Sequence, residues 1–259
     1  MKPDITVGLV CEGPRDQELL EGVIDSLFPA VHFTFRYLQP ETSLLSVNYN
    51  GWVGVLRWCY KDAGKVISGN KALADDLDLI VVQIDGDVAR TEKKVHCDCS
   101  DTGCDRKEEL RKAGRILNPS GRTCSVECAE KDCPVELPCG EHPGEKPAIY
   151  AEHMNRMIRD YLGETNGFPF IITVPCDNTD AWIVAAFDDS ETPELIEKPW
   201  ESVISVKKEY HGIRRSRNKS KNIMRQFLPV IVDNWQKVIQ KCPQAAKLDS
   251  DLRGIIDGI

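Results

Sequence analysis

Short apolar runs alternate along this chain with segments whose apolar residues recur every three to four positions. Ile5-Thr6-Val7-Gly8-Leu9-Val10 and Leu79-Ile80-Val81-Val82-Gln83-Ile84 are near-continuous apolar runs, the pattern of strands buried on both faces. Phe33, Phe35 and Tyr37 alternate with polar residues, which predicts a second strand more exposed on one face. Phe170 to Val174 predicts a fourth. Helical periods lie between them. Arg15 to Leu27 places Leu19, Leu20, Val23, Ile24 and Leu27 on one face, and Pro29 ends the helix. Trp52, Val55, Leu56, Cys59, Ala63 and Ile67 follow a helical period. Pro147 to Leu162 reads as a helix with proline near its start. Asp180 to Phe187 reads as another, with Trp182, Ile183 and Ala186 inward, and further helices are expected around Lys221–Phe227 and Val230–Lys241. This alternation predicts an α/β fold, a mostly parallel four-stranded Rossmann-like sheet with helices on both faces.

The first and third strands each run into an acidic turn. Glu12-Gly13-Pro14-Arg15-Asp16 follows one and Asp85-Gly86-Asp87 the other. Ligands gather beyond the carboxyl ends of strands in an open α/β sheet. Adjacent strands would therefore bring Glu12, Asp16, Asp85 and Asp87 to one edge. Four carboxylates do not all ionise at close quarters without a cation between them, and a hard divalent ion such as Mg2+ or Mn2+ is the natural counter-charge. Gly86 permits the turn and a close backbone approach. Plainer readings exist for each residue. Glu12 and Asp16 suit a helix N-terminus, Asp85-Gly86 suits a simple turn, and Asp177, Asn178 and Thr179 suit the cap of the helix that starts at Asp180.

At 259 residues the chain suits one elaborated domain or two small ones, and 41% hydrophobic residues suffice for a core. No apolar run reaches about 18 residues, so no membrane span is expected. Met1-Lys2-Pro3-Asp4 leads straight into a strand, so no signal peptide is expected and a cytoplasmic location is the default. The net charge of −8 argues against a uniformly basic nucleic-acid binder. The charge is uneven, however: Lys207, Lys208, Arg214, Arg215, Arg217, Lys219, Lys221 and Arg225 cluster with one acid, Glu209. Such a patch can contact phosphates beside an acidic metal site, or form a solvated face.

Residues 91–146 interrupt the α/β pattern with a segment far longer than an ordinary loop. It carries Cys97, Cys99, Cys104, Cys124, Cys128, Cys133 and Cys139, flanked by His96 and His142, and few large apolar residues. A segment of that kind needs a metal or disulfides to hold it together. In a cytosolic protein the cluster favours one or two structural Zn2+ ions, with disulfides, reduced thiols or an iron–sulfur cluster as the other readings. The spacings match no familiar finger, so the grouping of ligands stays open. Cys11, Cys59, Cys176 and Cys242 read as small buried residues. The organisation expected is a discontinuous α/β domain (1–90 and 147–190), a zinc-binding insert (91–146) and a basic C-terminal helical segment (191–259).

The Glu12-Gly13-x-x-Asp16 turn and the Asp85-x-Asp87 pair, each after its strand, resemble the TOPRIM domain over roughly Ile5 to Ala185. Pro175-Cys176-Asp177-Asn178-Thr179-Asp180-Ala181-Trp182 resembles a stretch of the bacterial TOPRIM proteins related to the OLD nucleases, with Asp180 where Glu is more usual. The resemblance implies a Mg2+- or Mn2+-dependent nuclease, acting on DNA or RNA, in which Glu12, Asp85 and Asp87 hold the essential ion. It further implies that Asp16 and Asp180, with Asp177 as a substitute, complete a second ion site. A lysine that neutralises transition-state charge is matched best by Lys221 and next by Lys219. Arg214, Arg215, Arg217, Lys219 and Arg225 are then the expected nucleic-acid contacts. Relatives of this kind act with an ABC-type ATPase in anti-phage defence. This chain has no Gly-x4-Gly-Lys-Ser/Thr phosphate loop, so the ATPase would be a separate polypeptide; homo-oligomerisation is left open. The alternative is a non-catalytic TOPRIM and zinc module that binds nucleic acid or a partner. A topoisomerase or primase would need domains for which the chain has no room.

Overall fold

A computed structural model describes residues 3–40, 51–67, 77–88, 147–163, 165, 167–206, 208–214, 216 and 219–258. The expected zinc ligands His96, Cys97, Cys99, Cys104, Cys124, Cys128, Cys133, Cys139 and His142 lie outside the described residues, as do Arg215 and Arg217.

The elements in chain order are β1 (Asp4–Val10), α1 (Pro14–Leu27), β2 (His32–Gln39), α2 (Trp52–Lys61), α3 (Ala63–Ile67), β3 (Leu79–Gln83), α4 (Pro147–Leu162) and β4 (Phe170–Thr173). There follow α5 (Asp180–Phe187), a 3-10 turn (Pro193–Leu195), α6 (Pro199–Ile204), β5 (Glu209–Tyr210), β6 (Ile213–Arg214), α7 (Lys221–Asp233), α8 (Trp235–Lys241) and α9 (Pro243–Ile256). Strands β1 to β4 form one all-parallel sheet in the order β2-β1-β3-β4, and β5 and β6 make a small antiparallel hairpin. The α/β architecture expected from the apolar pattern is present.

The pleat sends alternate side chains to opposite faces, and each face has its own helices. Ile5, Val7, Leu9, Leu79, Val81 and Ile171 pack with α1, α5, α7, α8 and α9. Val10, Ile80, Val82, Ile172 and Val174 pack with α2, α3 and α4. Right-handed crossovers require this split. The β1-α1-β2 unit moves one way along the sheet, and the units returning to β3 and β4 move the other way on the opposite face. The order reverses between β1 and β3, which makes their carboxyl ends the switch point of the sheet.

The C-terminal helices complete the cover of the first face. Met224, Phe227, Ile231, Trp235, Val238, Leu248 and Leu252 are buried in the same cluster as Leu19, Leu20 and Trp182. Arg225 grips Glu18 through Nε at 2.6 Å and Nη2 at 3.1 Å, which joins α7 to α1. Three details differ from the sequence expectation. The period from Trp52 to Ile67 splits at Asp62 into two helices. Helix α7 continues through Pro229 and ends where the Asn234 side chain donates to the Val230 carbonyl at 2.9 Å. Helix α9 was not expected, although Ala245, Leu248, Leu252 and Ile256 are buried at helical spacing behind a first-turn proline. Among the described residues no helix is long and apolar enough to cross a membrane.

Phe227 is 1% exposed and packs edge-on against Phe187 at 5.6 Å and Trp200 at 6.2 Å. Phe227→Ala is expected to cost about 3–5 kcal/mol, the range for an emptied aromatic site, measured by urea unfolding.

Candidate functional site

The end of β1 is held at both sides. Cys11 N–H donates to Gln39 O of β2 at 2.8 Å, and Glu12 N–H donates to the side-chain oxygen of Gln83 on β3 at 3.3 Å. The Gln83 amide nitrogen donates in turn to Asp85 Oδ1 at 2.8 Å. The Glu12 carboxylate closes the loop by accepting the Asp85 backbone N–H at 2.7 Å. Both acidic turns are thus one hydrogen-bonded unit, built because β1 and β3 are neighbours in parallel register.

The second turn rests on the chain leaving β4. Gly86 N–H donates to Pro175 O at 2.9 Å and Asp87 N–H to Asp177 O at 3.0 Å. A Cβ at Gly86 would lie 2.5 Å from Cys176 O and 2.6 Å from Pro175 O. The glycine is required by this close approach between backbones. Asn178 Oδ1 accepts the Asp180 N–H at 3.0 Å and starts α5. Asp177 Oδ2 accepts Lys198 N–H at 2.5 Å and fixes the approach to α6.

Helix α1 adds Arg15 and Asp16, and α5 adds Asp180. The Thr179 hydroxyl donates to Asp16 Oδ1 at 2.8 Å and accepts from Arg15 Nη2 at 3.1 Å. Asp180 is completely buried, with Arg15 Nη2 2.6 Å from Oδ1 and Lys219 Nζ donating to Oδ2 at 2.6 Å. Arg15 and Lys219 both lie over the Trp200 ring, 5.7 and 5.8 Å from its centre.

Crowded carboxylates raise their own proton affinity. Burial, followed by the charges of Asp16 and Asp87, pushes Glu12 up to about 8 against the donated N–H groups of Asp85 and Trp52. Asp85 is pushed well up by burial and then by Glu12, Asp16 and Asp87. Asp16 is raised by burial, although Arg15 and Thr179 pull it back. Such a group of hard oxygen donors, short of positive charge, fits a divalent cation such as Mg2+ or Mn2+. The carboxylates are at present turned onto protein donors. Among the described residues no three His, Cys, Asp or Glu side chains already converge as a metal-binding group.

The structure therefore brings Glu12, Asp16, Asp85, Asp87 and Asp180 to one end of the sheet. Of the two candidate lysines, Lys219 reaches this group, while Lys221 Nζ lies 4.9 Å over the Tyr37 ring. Arg225 is engaged with Glu18, and Arg214 is exposed on the β5–β6 hairpin. Trp182 sits in the core against Trp235 at 5.7 Å. Cys11, Cys59, Cys176 and Cys242 are buried and not disulfide-bonded. Sequence reasoning missed Gln83, Arg15 and Thr179 as members of the site. The available signal for Gln83 was a polar residue inside a run that should be wholly buried.

Comparison of the chain with family models, with curated proteins and with solved structures finds no match.

Two outcomes are expected. Gly86→Ala forces backbone apart and should lower stability by about 1–3 kcal/mol, as overpacking does, and weaken any Mg2+-induced rise in melting temperature. Glu12 takes up a proton more readily folded than unfolded, so its contribution to metal-free stability is full below about pH 4.5 and lost as pH rises through about 8. Metal-free Glu12→Gln should therefore melt higher than wild type at pH 8 by roughly 2–4 °C and lose that advantage near pH 4.5. Mg2+ should stabilise the wild type more at pH 8 than at pH 5, read by thermal denaturation in both buffers.

Proposed function

We propose that this chain is a divalent-metal-dependent nuclease with a TOPRIM-like site. The observation that carries the reading is the junction of β1 and β3. It joins the Glu12 turn to the Asp85-Gly86-Asp87 turn by a direct hydrogen bond of 2.7 Å at the switch point of a parallel sheet. Glu12, Asp85 and Asp87 would hold one Mg2+ or Mn2+ ion. Bound there, the ion would supply Lewis-acid charge at a phosphate oxygen and favour attack by water.

The chain's own residues account for the rest. Gln83 holds the Glu12 backbone and the Asp85 side chain in one register, so the two turns cannot drift apart. Lys219, partly exposed and anchored on Asp180, would neutralise charge on a scissile phosphodiester. The exposed Arg214 and the basic residues around it in sequence offer sequence-independent contacts to a nucleic-acid backbone. The Cys/His insert fits one or two structural Zn2+ ions by composition. A separate ABC-type ATPase partner and an anti-phage role follow from the resemblance alone, as does the cytoplasmic setting.

The test is cleavage of supercoiled plasmid, single-stranded DNA, total RNA and tRNA with Mn2+, comparing wild type with Glu12→Ala and Lys219→Ala. Glu12→Ala is expected to abolish cutting with nucleic-acid binding nearly intact, and Lys219→Ala to slow cutting by roughly 10²–10³-fold. Wild type that binds these substrates but cuts none of them, alone or with its ATPase, would instead be the non-catalytic binding module.

A further inference from the structure

We infer that the site takes one divalent ion, and that Arg15 and Lys219 stand in place of a second. The inference rests on the metal-dependent reading above and concerns how many ions it involves. A second ion would need Asp180 and Asp16; Asp180 is ion-paired to the Arg15 guanidinium, and Asp16 is linked to it through the Thr179 hydroxyl. Asp180 is fully buried and has a cation on each oxygen: Arg15 Nη2 at 2.6 Å from Oδ1 and Lys219 Nζ at 2.6 Å from Oδ2. Asp16 receives the Thr179 hydroxyl at 2.8 Å, and that hydroxyl accepts from the same Arg15 Nη2 at 3.1 Å.

Arginine does not deprotonate in proteins. Arg15 is 8% exposed, so a metal ion that took Asp180 would leave a buried guanidinium without its counter-charge. An ion placed beside the pair would instead face two cations across a few ångströms of low-dielectric interior. The Trp200 ring lies against both cations and limits their retreat.

The pair also has capacity to spare. Arg15 Nη1 is buried with no hydrogen-bond partner among the described residues. Lys219 keeps 41% of its side chain exposed. Lys219, open to solvent, suits an anionic phosphoryl oxygen, the group a second metal would otherwise clamp, with the buried Arg15 as a fixed charge behind it. Asp180 is then a positioning residue, which holds two cations and touches neither metal nor substrate.

Mn2+ binding to the whole zinc-loaded chain tests this without any turnover. Calorimetry counts the ions lost on Glu12→Gln, which subtracts any Mn2+ held elsewhere. Electron paramagnetic resonance distinguishes a lone ion from a spin-coupled pair about 3.5–4 Å apart. The expected result is one Glu12-dependent ion with an uncoupled spectrum. Asp180→Asn, checked for folding by circular dichroism, should keep that ion with Kd changed by no more than about threefold. Two Glu12-dependent ions, or a coupled spectrum, would overturn the inference and leave the metal-dependent reading standing. No Glu12-dependent ion would bring down the metal-dependent reading, and the inference with it. The wild-type count decides the matter even if Asp180→Asn does not fold.

Discussion

The hydrogen bond from the Asp85 amide to the Glu12 carboxylate is the contact on which the arrangement turns. It crosses from β3 to β1 at the point where the chain changes direction along the sheet. Parallel register brings the two strand ends level, and the apolar faces of β1 and β3 fix that register, since a slip of one residue would turn Val7 and Leu9 away from their core. Gln83 then serves both ends with one amide group. The close contact of Gly86 with the Pro175–Cys176 backbone carries the same order to β4 and on to α5. A helix bearing Asp180 is thereby positioned by a turn that belongs to another strand.

Charge is balanced unevenly across this end of the sheet. On the α5 side, Arg15 and Lys219 meet Asp180, and Thr179 links them to Asp16. On the β1–β3 side, Glu12 and Asp85 face one another and Asp87, and among the described residues Gln83 and backbone amides donate to Glu12 and Asp85. The fold tolerates this because the hydrophobic clusters on both faces of the sheet are extensive. Strain of this kind at a site is typical where function and stability compete. Glu194 shows the contrast. It is buried more completely, but Trp182 Nε1 and Gln244 N–H both donate to it at 3.0 Å, and its role is to hold α5 against α9.

Much of the architecture was legible because buried parallel strands leave a coarse mark: Leu79 to Val82 can scarcely be anything else. Helix α5 begins at Asp180 and α4 at Pro147, where caps and proline signalled them. The expected gap between Phe227 and Val230 contains Pro229, yet the helix runs through it, held by Met224, Phe227 and Ile231 in the core. The acids of the site could be read because each follows a strand. Its cations could not. Lys219 and Lys221 are two residues apart, and only the path of the chain into α7 decides which one meets Asp180 and which one meets Tyr37. Arg15 stood in plain view inside the acidic turn, but its value depends on Thr179, 164 residues away. Such pairings have no local signal.

The Glu18–Arg225 pair spans 207 residues, and its two helices cover one face of the sheet together. During synthesis, β1 and α1 therefore emerge long before the helix that must pack beside them. The Glu12 and Asp85 turns can meet once β3 is made, but Asp180, Lys219 and the aromatic wall of Trp200 and Phe227 arrive only as the later helices dock. A nascent chain thus carries Glu12, Arg15, Asp16, Asp85 and Asp87 before it carries Asp180 and Lys219. Distant pairings slow folding, and the order of translation separates the Glu12 and Asp85 turns from the completion of the site.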